Sequence, residues 1–281
     1  MLIRVGFNIE FDLPAETPMI AVLHVHPSRE WDLLEPEELV TEPKLAVGAY
    51  ADSFGNHCSR FLAPPGKLRL SSSALIRDSG KPDEINEAAH ETPVPDLPHS
   101  VLQYLLSSRY CEVDRFVNIT AGLFGGLTPG WGRVQAITNW VHDNVAFDYA
   151  KARPTKTALD VFTERTGVCR DFQHLAITFC RALNIPARYA TGYLGDIGIP
   201  SRGPMDFSAW FEAFLDGRWW TFDARHNTPQ VGRVLMAAGR DASDVAITTS
   251  FGEATLREFE VIAREEAASS EEIFLTTAFS E

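Results

Sequence analysis

Long hydrophobic segments are missing from this sequence of 281 residues. A membrane-spanning helix needs about 20 consecutive apolar residues, and the best candidate, Leu175 to Ile185, is short and contains Arg181 and Asn184. The first residues, Met1 to Asp12, lack the basic start and the apolar stretch of a signal peptide. We therefore predict that the protein is not integral to a membrane and that it resides in the cytoplasm.

Cysteine is scarce, and basic residues are outnumbered by acidic ones. The four cysteines, Cys58, Cys111, Cys169 and Cys180, form no Cys-x-x-Cys pair. Neither a zinc ribbon nor a disulfide framework is expected, and we interpret all of them as thiols. The formal net charge of −13 repels phosphate backbones and anionic lipid headgroups. Nucleic acids and membrane surfaces are therefore not expected as partners.

Motifs for metals and cofactors are also missing. His24 and His26 share one face of a predicted strand, but the sequence offers no third ligand near them. Gly125-Gly126 precedes a predicted helix without the lysine and the spacing of a phosphate-binding loop. The spacing of a calcium-binding loop does not occur either. We predict neither a metal nor a cofactor.

The sequence does contain a change of pattern near residue 95. Residues 1–90 alternate apolar and polar side chains in several short runs, such as the one from Ile3 to Phe11, which predicts half-buried strands. The proline-rich stretch from Glu91 to Ser100 interrupts this pattern. We predict a smaller, sandwich-like all-β domain over residues 1–95 and a second domain over residues 96–281.

The second domain begins with helical periodicity and ends with strands. Helices are predicted over 101–111, from Thr128-Pro129 through Val145, over 158–165 and from Cys169 to Leu183. Strands are predicted over 189–194, 208–215, 218–224, 245–251 and 256–262. Between two of them, Asp216-Gly217 predicts a tight hairpin in which Leu215 faces Arg218. The predicted fold class is therefore α+β.

Cys169 stands at a chemically favourable position. It follows Gly167 at the start of a predicted helix, where unpaired N–H groups and the helix dipole stabilise an anion. The adjacent Arg170 also favours a thiolate, whereas Asp171 opposes it. Two interpretations stay open from these features: a nucleophile whose pKa is lowered, or a small buried apolar residue at a helix start.

The predicted hairpin places polar and aromatic side chains on one face. Alternation puts Ser208 and Trp210 on the same face as Asp223, with Trp210 directly opposite Asp223. If the helix of Cys169 packs on that face, the thiol meets Ser208 and Asp223 in the layout of a Cys–base–acid triad, with serine at the base position. Trp210 is then a candidate for substrate binding.

Four segments of the second predicted domain form a recognisable set: Gly167–Ala176 (GVCRDFQHLA), Arg181–Tyr189 (RALNIPARY), Ala209–Glu212 (AWFE) and Trp220–Asn227 (WTFDARHN). Together they resemble the bacterial transglutaminase-like superfamily. The resemblance extends more weakly over residues 128–262 and, with a β-rich domain before the core, to most of the chain. It implies a papain-like core in which a helix bearing the nucleophile packs on an antiparallel sheet.

The resemblance also implies roles for single residues. It makes Cys169 the nucleophile and Asp223 the acid, and it puts Ser208 where the family carries a histidine. Serine has no basic nitrogen near neutral pH and cannot take the proton of the thiol. His226 is the best substitute. It lies on the opposite face if the strand continues, but a turn over residues 224–227 brings it back.

Two functions are consistent with this pattern. We favour a thiol-dependent acyl-transfer enzyme, similar to a protease, an amidase or a transglutaminase, that attacks peptide or glutamine-type amides through a thioester on Cys169. The alternative is a catalytically degenerate protein that uses the same cleft to bind peptide or protein partners. The sequence leaves open the substrate, the choice between hydrolysis and amine transfer, and the oligomeric state.

Overall fold

The computed structural model describes residues 1–195, 197 and 205–266, and it confirms the α+β class. None of the helices in this part of the chain is long and apolar enough to cross a bilayer. The strands are β1 (Leu2–Leu13), β2 (Thr17–Ala21), β3 (Val40–Glu42), β4 (Gly48–Ala51), β5 (His57–Ala63), β6 (Gly66–Arg77), β7 (Ala146–Phe147), β8 (Thr166–Gly167), β9 (Ala187–Leu194), β10 (Ser208–Leu215), β11 (Arg218–Phe222), β12 (Arg233–Gly239), β13 (Thr248–Ser250) and β14 (Thr255–Glu266). The helices are α1 (Val117–Phe124), α2 (Trp131–Asn144), α3 (Ala158–Glu164) and α4 (Cys169–Ala182).

The N-terminal region consists of two four-stranded sheets around one apolar core. Their strand orders are β14-β1-β6-β3 and β13-β2-β5-β4. Alternate residues of β1 point into this core, as the period-2 pattern of the sequence predicts. Both sheets contribute to it, with Val5 and Phe7 from one and Met19 and Phe61 from the other. The region is therefore a two-layer β-sandwich.

The last described strands return to this N-terminal sandwich. β14 pairs antiparallel with β1, from Leu2 opposite Glu266 to Asp12 opposite Thr255, and β13 pairs with β2. Each sheet thus gains an edge strand from the far end of the sequence. The domain boundary at residue 95 and the cytoplasmic location stay predictions. Residues 267–281, part of the predicted second domain, lie outside the described residues.

A third four-stranded sheet has the strand order β11-β10-β9-β12, and helix α4 packs on it. α4 contacts β9 and β10, and its buried apolar side chains, which include Phe172, Leu175 and Phe179, belong to the same core as Phe211 of β10. Tyr193 of β9, Val234 and Met236 of β12, and Phe207 just before β10 belong to the core of the N-terminal sandwich. The sheet therefore contributes side chains to both apolar cores.

Two helix boundaries differ from the sequence prediction. The helix predicted over 101–111 is a 3₁₀ segment, His99–Leu105, and the serines at 107 and 108 compete with helix formation there. α2 begins after Gly130 instead of after Thr128. Gly130 has a φ of 127°, and a Cβ there would lie 2.6 Å from the carbonyl oxygen of Ala89. Only glycine fits this close approach.

Candidate active site

Cys169 is the first residue of α4, as predicted. The N–H of Val168 donates to Oδ2 of Asp171 at 2.9 Å, which closes the first turn of the helix. An acidic residue at this position also interacts favourably with the helix dipole. The segment before the helix is held by β8, which pairs in parallel with β7. Cys169 is therefore fixed by local contacts on both sides.

The thiol of Cys169 does not have the lowered pKa that the sequence suggested. Burial raises its pKa to about 11, the carboxylate of Asp206 adds to the rise, and Arg225 works in the opposite direction. Of the two interpretations that the sequence left open, the lowered pKa does not hold, because it counted only the helix start and the neighbouring residues. Removal of the sulfur from water penalises the charged form more than these groups stabilise it.

The hairpin has the register that the sequence predicts. Leu215 lies opposite Arg218, and the pairing continues to Phe211 opposite Phe222. Asp216 and Gly217 have φ angles of 47° and 79°, the left-handed conformations that a two-residue turn of this type requires. β11 ends at Phe222, so Asp223 is the first residue after the strand.

Trp210 lies on the face of β10 that points away from α4. The helix packs instead on Ala209, Phe211 and Ala213, whose small alanine side chains let it approach the sheet closely. The ring of Trp210 is buried, and the guanidinium carbon of Arg233 lies 5.0 Å from its centre. The expectation that Trp210 faces the helix of the thiol was therefore wrong, and its role in substrate binding stays a prediction.

Ser208 is buried at the start of β10. Its carbonyl oxygen accepts a hydrogen bond from Oγ1 of Thr191 at 2.9 Å. Within the described residues, the hydroxyl oxygen of Ser208 has no hydrogen-bond partner. The place of Ser208 in a catalytic triad therefore stays a prediction.

His226 contacts the carboxylate of Asp223. The chain turns after β11, where the N–H groups of Arg225 and His226 donate to Oδ1 of Asp223 at 2.9 and 3.1 Å. This turn brings the imidazole back, and Nδ1 of His226 lies 2.9 Å from Oδ2 of Asp223. Of the two alternatives left open by the sequence, the structure has the turn and not the continued strand.

Asp223 is a buried carboxylate with several partners. Oδ2 also accepts a hydrogen bond from Arg233 at 2.8 Å. Burial raises the pKa of Asp223, but the hydrogen bond from His226 and the charge of Arg233 outweigh it and hold this pKa well below its usual range. Asp223 therefore stays ionised and can orient the imidazole of His226.

Gln173 connects the helix of the thiol to the acid, and the sequence analysis missed it. Its amide is fully buried. Nε2 donates to the carbonyl oxygen of Ala209 at 3.1 Å and to Oδ1 of Asp223 at 3.2 Å, and Oε1 accepts from the N–H of Ala224 at 3.1 Å. Gln173 lies four residues after Cys169, on the same face of α4. That spacing was the signal that could have identified it.

Replacement of Gln173 by leucine is expected to destabilise the fold by about 1–3 kcal/mol, because the N–H of Ala224 and a carboxylate oxygen then lose a buried partner. Urea unfolding measures the change. Gln103→Leu is the control, since among the described residues the Gln103 amide donates to a single acceptor, the carbonyl oxygen of Ser100, in an exposed hydrogen bond, and its loss should leave stability nearly unchanged. Equal stability of the two variants would contradict the role of Gln173 as a link.

His174, on the same helix as Cys169, has structural surroundings. His174 is fully buried between the rings of Tyr110 and Tyr189, and burial lowers its pKa to about 3. Its Nε2 accepts from the N–H of Ala242 at 3.1 Å. In the described part of the chain, no group of three or more His, Cys, Asp or Glu side chains is arranged to hold a metal ion.

Comparison with known proteins agrees with this architecture. The model of the transglutaminase-like superfamily matches residues 117–224, which include Cys169 and Asp223. A crystal structure from Cytophaga hutchinsonii, of a protein proposed to be a cysteine protease, is similar with a TM-score of 0.82. That similarity covers 96% of this chain and 92% of that chain at 31% sequence identity. An uncharacterized protein of Mycobacterium leprae is 29% identical over 216 residues, 73% of this chain and 76% of that protein.

A helix-borne thiol at the edge of an antiparallel sheet defines the class of papain-like α+β proteins. Within it, the chain belongs to the transglutaminase-like superfamily. This membership supports a general cysteine-dependent function in acyl transfer or proteolysis.

Proposed function

We propose that this protein is a thiol-dependent acyl-transfer enzyme that acts on peptide or glutamine-type amides, with Cys169 as nucleophile and His226 as base. The observation that carries the proposal is the 2.9 Å contact between Nδ1 of His226 and Oδ2 of Asp223. A proton on Nδ1 that is shared with the carboxylate leaves Nε2 as the basic atom of the ring. His226 then supplies the function that Ser208 lacks.

The reaction proceeds through a thioester. Sγ of Cys169 attacks the carbonyl carbon of the amide while its proton passes to Nε2 of His226, and the N–H groups at the start of α4 stabilise the oxyanion. The C–N bond then breaks as His226 returns the proton to the leaving amine. Water or a second amine attacks the thioester, giving the acid or a new amide and restoring the thiol.

The high pKa of the thiol makes a base necessary. With a pKa of about 11, about one thiol in 10⁴ is ionised at pH 7. Proton transfer during the attack, instead of a preformed thiolate, is therefore the route that this environment favours. Within the described residues no hydrogen bond joins Cys169 to His226, and such contacts often tighten only when substrate binds.

Gln173 supports the proposal from the structural side. Gln173 lies one turn of α4 after Cys169, and its Nε2 donates a hydrogen bond to Oδ1 of Asp223. The thiol and the Asp223–His226 pair are thus carried by elements that a buried hydrogen bond holds together. This hydrogen bond helps to fix the relative positions of the reacting side chains, which catalysis requires.

A second candidate is a catalytically degenerate protein that binds peptides or proteins. What favours it is a serine, Ser208, where the family resemblance predicts a histidine, together with a half-buried thiol whose pKa is raised by burial. In this case the cleft binds a partner and no thioester forms.

The two candidates differ in the effect of Ser208→His. The protein is incubated with a mixture of peptides and an excess of a primary amine, and mass spectrometry detects new peptide ends or amine adducts. If His226 already serves as base, wild type is active and Ser208→His changes the rate by less than about 10-fold. If the site is degenerate, wild type is inactive and the variant gains activity, since a general base contributes about 10²–10⁴-fold. Ser208→Ala is the matched control and should behave like wild type.

A further inference from the structure

Two exposed aromatic side chains lie at the end of β7 and just after it, next to the strand that leads into Cys169. Phe147 is 37% exposed and Tyr149 is 60% exposed. Their ring centres are 4.9 Å apart, in an edge-to-face arrangement. We call these two side chains the aromatic platform. Neither takes part in the chemistry described above.

The platform is tied to the segment that leads into α4. Phe147 pairs with Gly167 in the parallel β7–β8 contact, and the N–H of Asp148 donates to the carbonyl oxygen of Gly167 at 3.0 Å. Cys169 follows two residues later. Burial raises the pKa of Tyr149, and the charges of Asp206 and Cys169 add to the rise. The phenol is therefore an electrostatic neighbour of the thiol.

Contacts with neighbouring side chains and a hydrogen-bonded turn hold the platform in place. Phe147 contacts Phe172 of α4, with ring centres 6.4 Å apart, and the guanidinium carbon of Arg225 lies 4.1 Å from its ring centre. Oδ1 of Asp148 accepts from the N–H of Ala150 at 2.9 Å, which fixes the short 3₁₀ turn that carries Tyr149. The rings are thus rigid and remain open to solvent, as in a preformed binding surface.

The charges near the platform offset each other. Asp206 and Arg225 both act on the thiol, with opposite effects on its pKa, and Arg225 lowers the pKa that burial raises in Asp206. A charged side chain of a substrate would therefore gain little electrostatic attraction near these two opposite charges. A neutral ring can pack edge-to-face against the phenol of Tyr149, which is the geometry that aromatic groups prefer.

We propose that the aromatic platform binds the aromatic side chain of the substrate residue whose carbonyl group is transferred to Cys169. This inference rests on the proposed function for the acyl transfer itself. It narrows the substrate class to peptides with an aromatic residue on the acyl side of the reacting amide. Tyr149 is then a specificity-determining residue, and it contributes an aromatic contact without taking part in proton transfer.

Alkylation of Cys169 by two chloromethyl ketones tests the proposal. N-acetylphenylalanyl and N-acetylalanyl chloromethyl ketone carry the same reactive group and differ in the side chain next to the ketone. The ratio of their rates at Cys169, measured by peptide mass spectrometry, cancels the reactivity of the thiol. We expect the phenylalanyl reagent to react faster in wild type, and the ratio to fall about 3- to 10-fold in Tyr149→Ala. In Tyr50→Ala, which removes a tyrosine that is 42% exposed on β4, the ratio should not change.

Equal rates of the two reagents in wild type would overturn the inference, and so would an unchanged ratio in Tyr149→Ala. This result does not depend on turnover. A preference for the phenylalanyl reagent without amide turnover would leave the platform intact and reject the proposed function. Turnover through Cys169 without that preference would support the proposed function and reject the aromatic platform as a binding site.

Discussion

Replacement of Cys169 by alanine is expected to lower acyl-transfer activity by more than about 10³-fold, because the thioester has no other atom on which to form. Activity is measured as new peptide ends or amine adducts in the peptide mixture. The substitution removes one sulfur from a half-buried position, so the thermal midpoint of unfolding should change little.

Cys58→Ala is the matched control for the loss of a thiol. Cys58 is buried in the apolar core, and burial raises its pKa, so it is expected to be inert and its replacement to leave activity in place. Activity that persists in Cys169→Ala would reject Cys169 as the nucleophile.

The second large effect is expected at His226. His226→Ala should lower activity about 10²–10⁴-fold, the usual contribution of a general base. The side chain of His226 is 32% exposed, and Asp223 keeps its contacts with Arg233 and Gln173. The fold should therefore remain stable, and urea unfolding checks this.

His226→Gln separates the hydrogen bond of His226 to Asp223 from its role in proton transfer. Glutamine can still donate a hydrogen bond to Asp223 but cannot accept the proton of the thiol at neutral pH. We expect it to be as inactive as His226→Ala, whereas His99→Ala, at an exposed position, should keep wild-type activity. Full activity in His226→Gln would show that proton transfer does not use this ring.

Local signals explain what the sequence could predict. Asp216-Gly217 has the backbone freedom that a two-residue turn needs, so the hairpin register from Leu215 opposite Arg218 follows from adjacent residues. The start of α4 at Cys169 follows from Gly167 and from helical spacing of apolar residues. The helix start and the hairpin made Cys169 and Asp223 candidates, the family resemblance assigned their roles, and these roles stay proposals.

Features that depend on tertiary contacts could not be predicted in this way. The pairing of β14 with β1 joins the two ends of the described chain, and no local pattern encodes such a distant partner. Alternation placed Trp210 on one face of β10 but did not say which face meets α4. The pKa of Cys169 depends on burial and on Asp206 and Arg225, which lie far from it in sequence.

The central claim is that Cys169 accepts an acyl group with the help of His226. The most direct test uses p-nitrophenyl acetate at pH 7, with acid quenching and peptide mapping of the acetyl group by mass spectrometry. We predict an acetyl thioester on Cys169 that forms faster than at the buried Cys58, Cys111 and Cys180, and at least about 10-fold more slowly in His226→Ala. No preference for Cys169, or an equal rate in the two proteins, would contradict the claim.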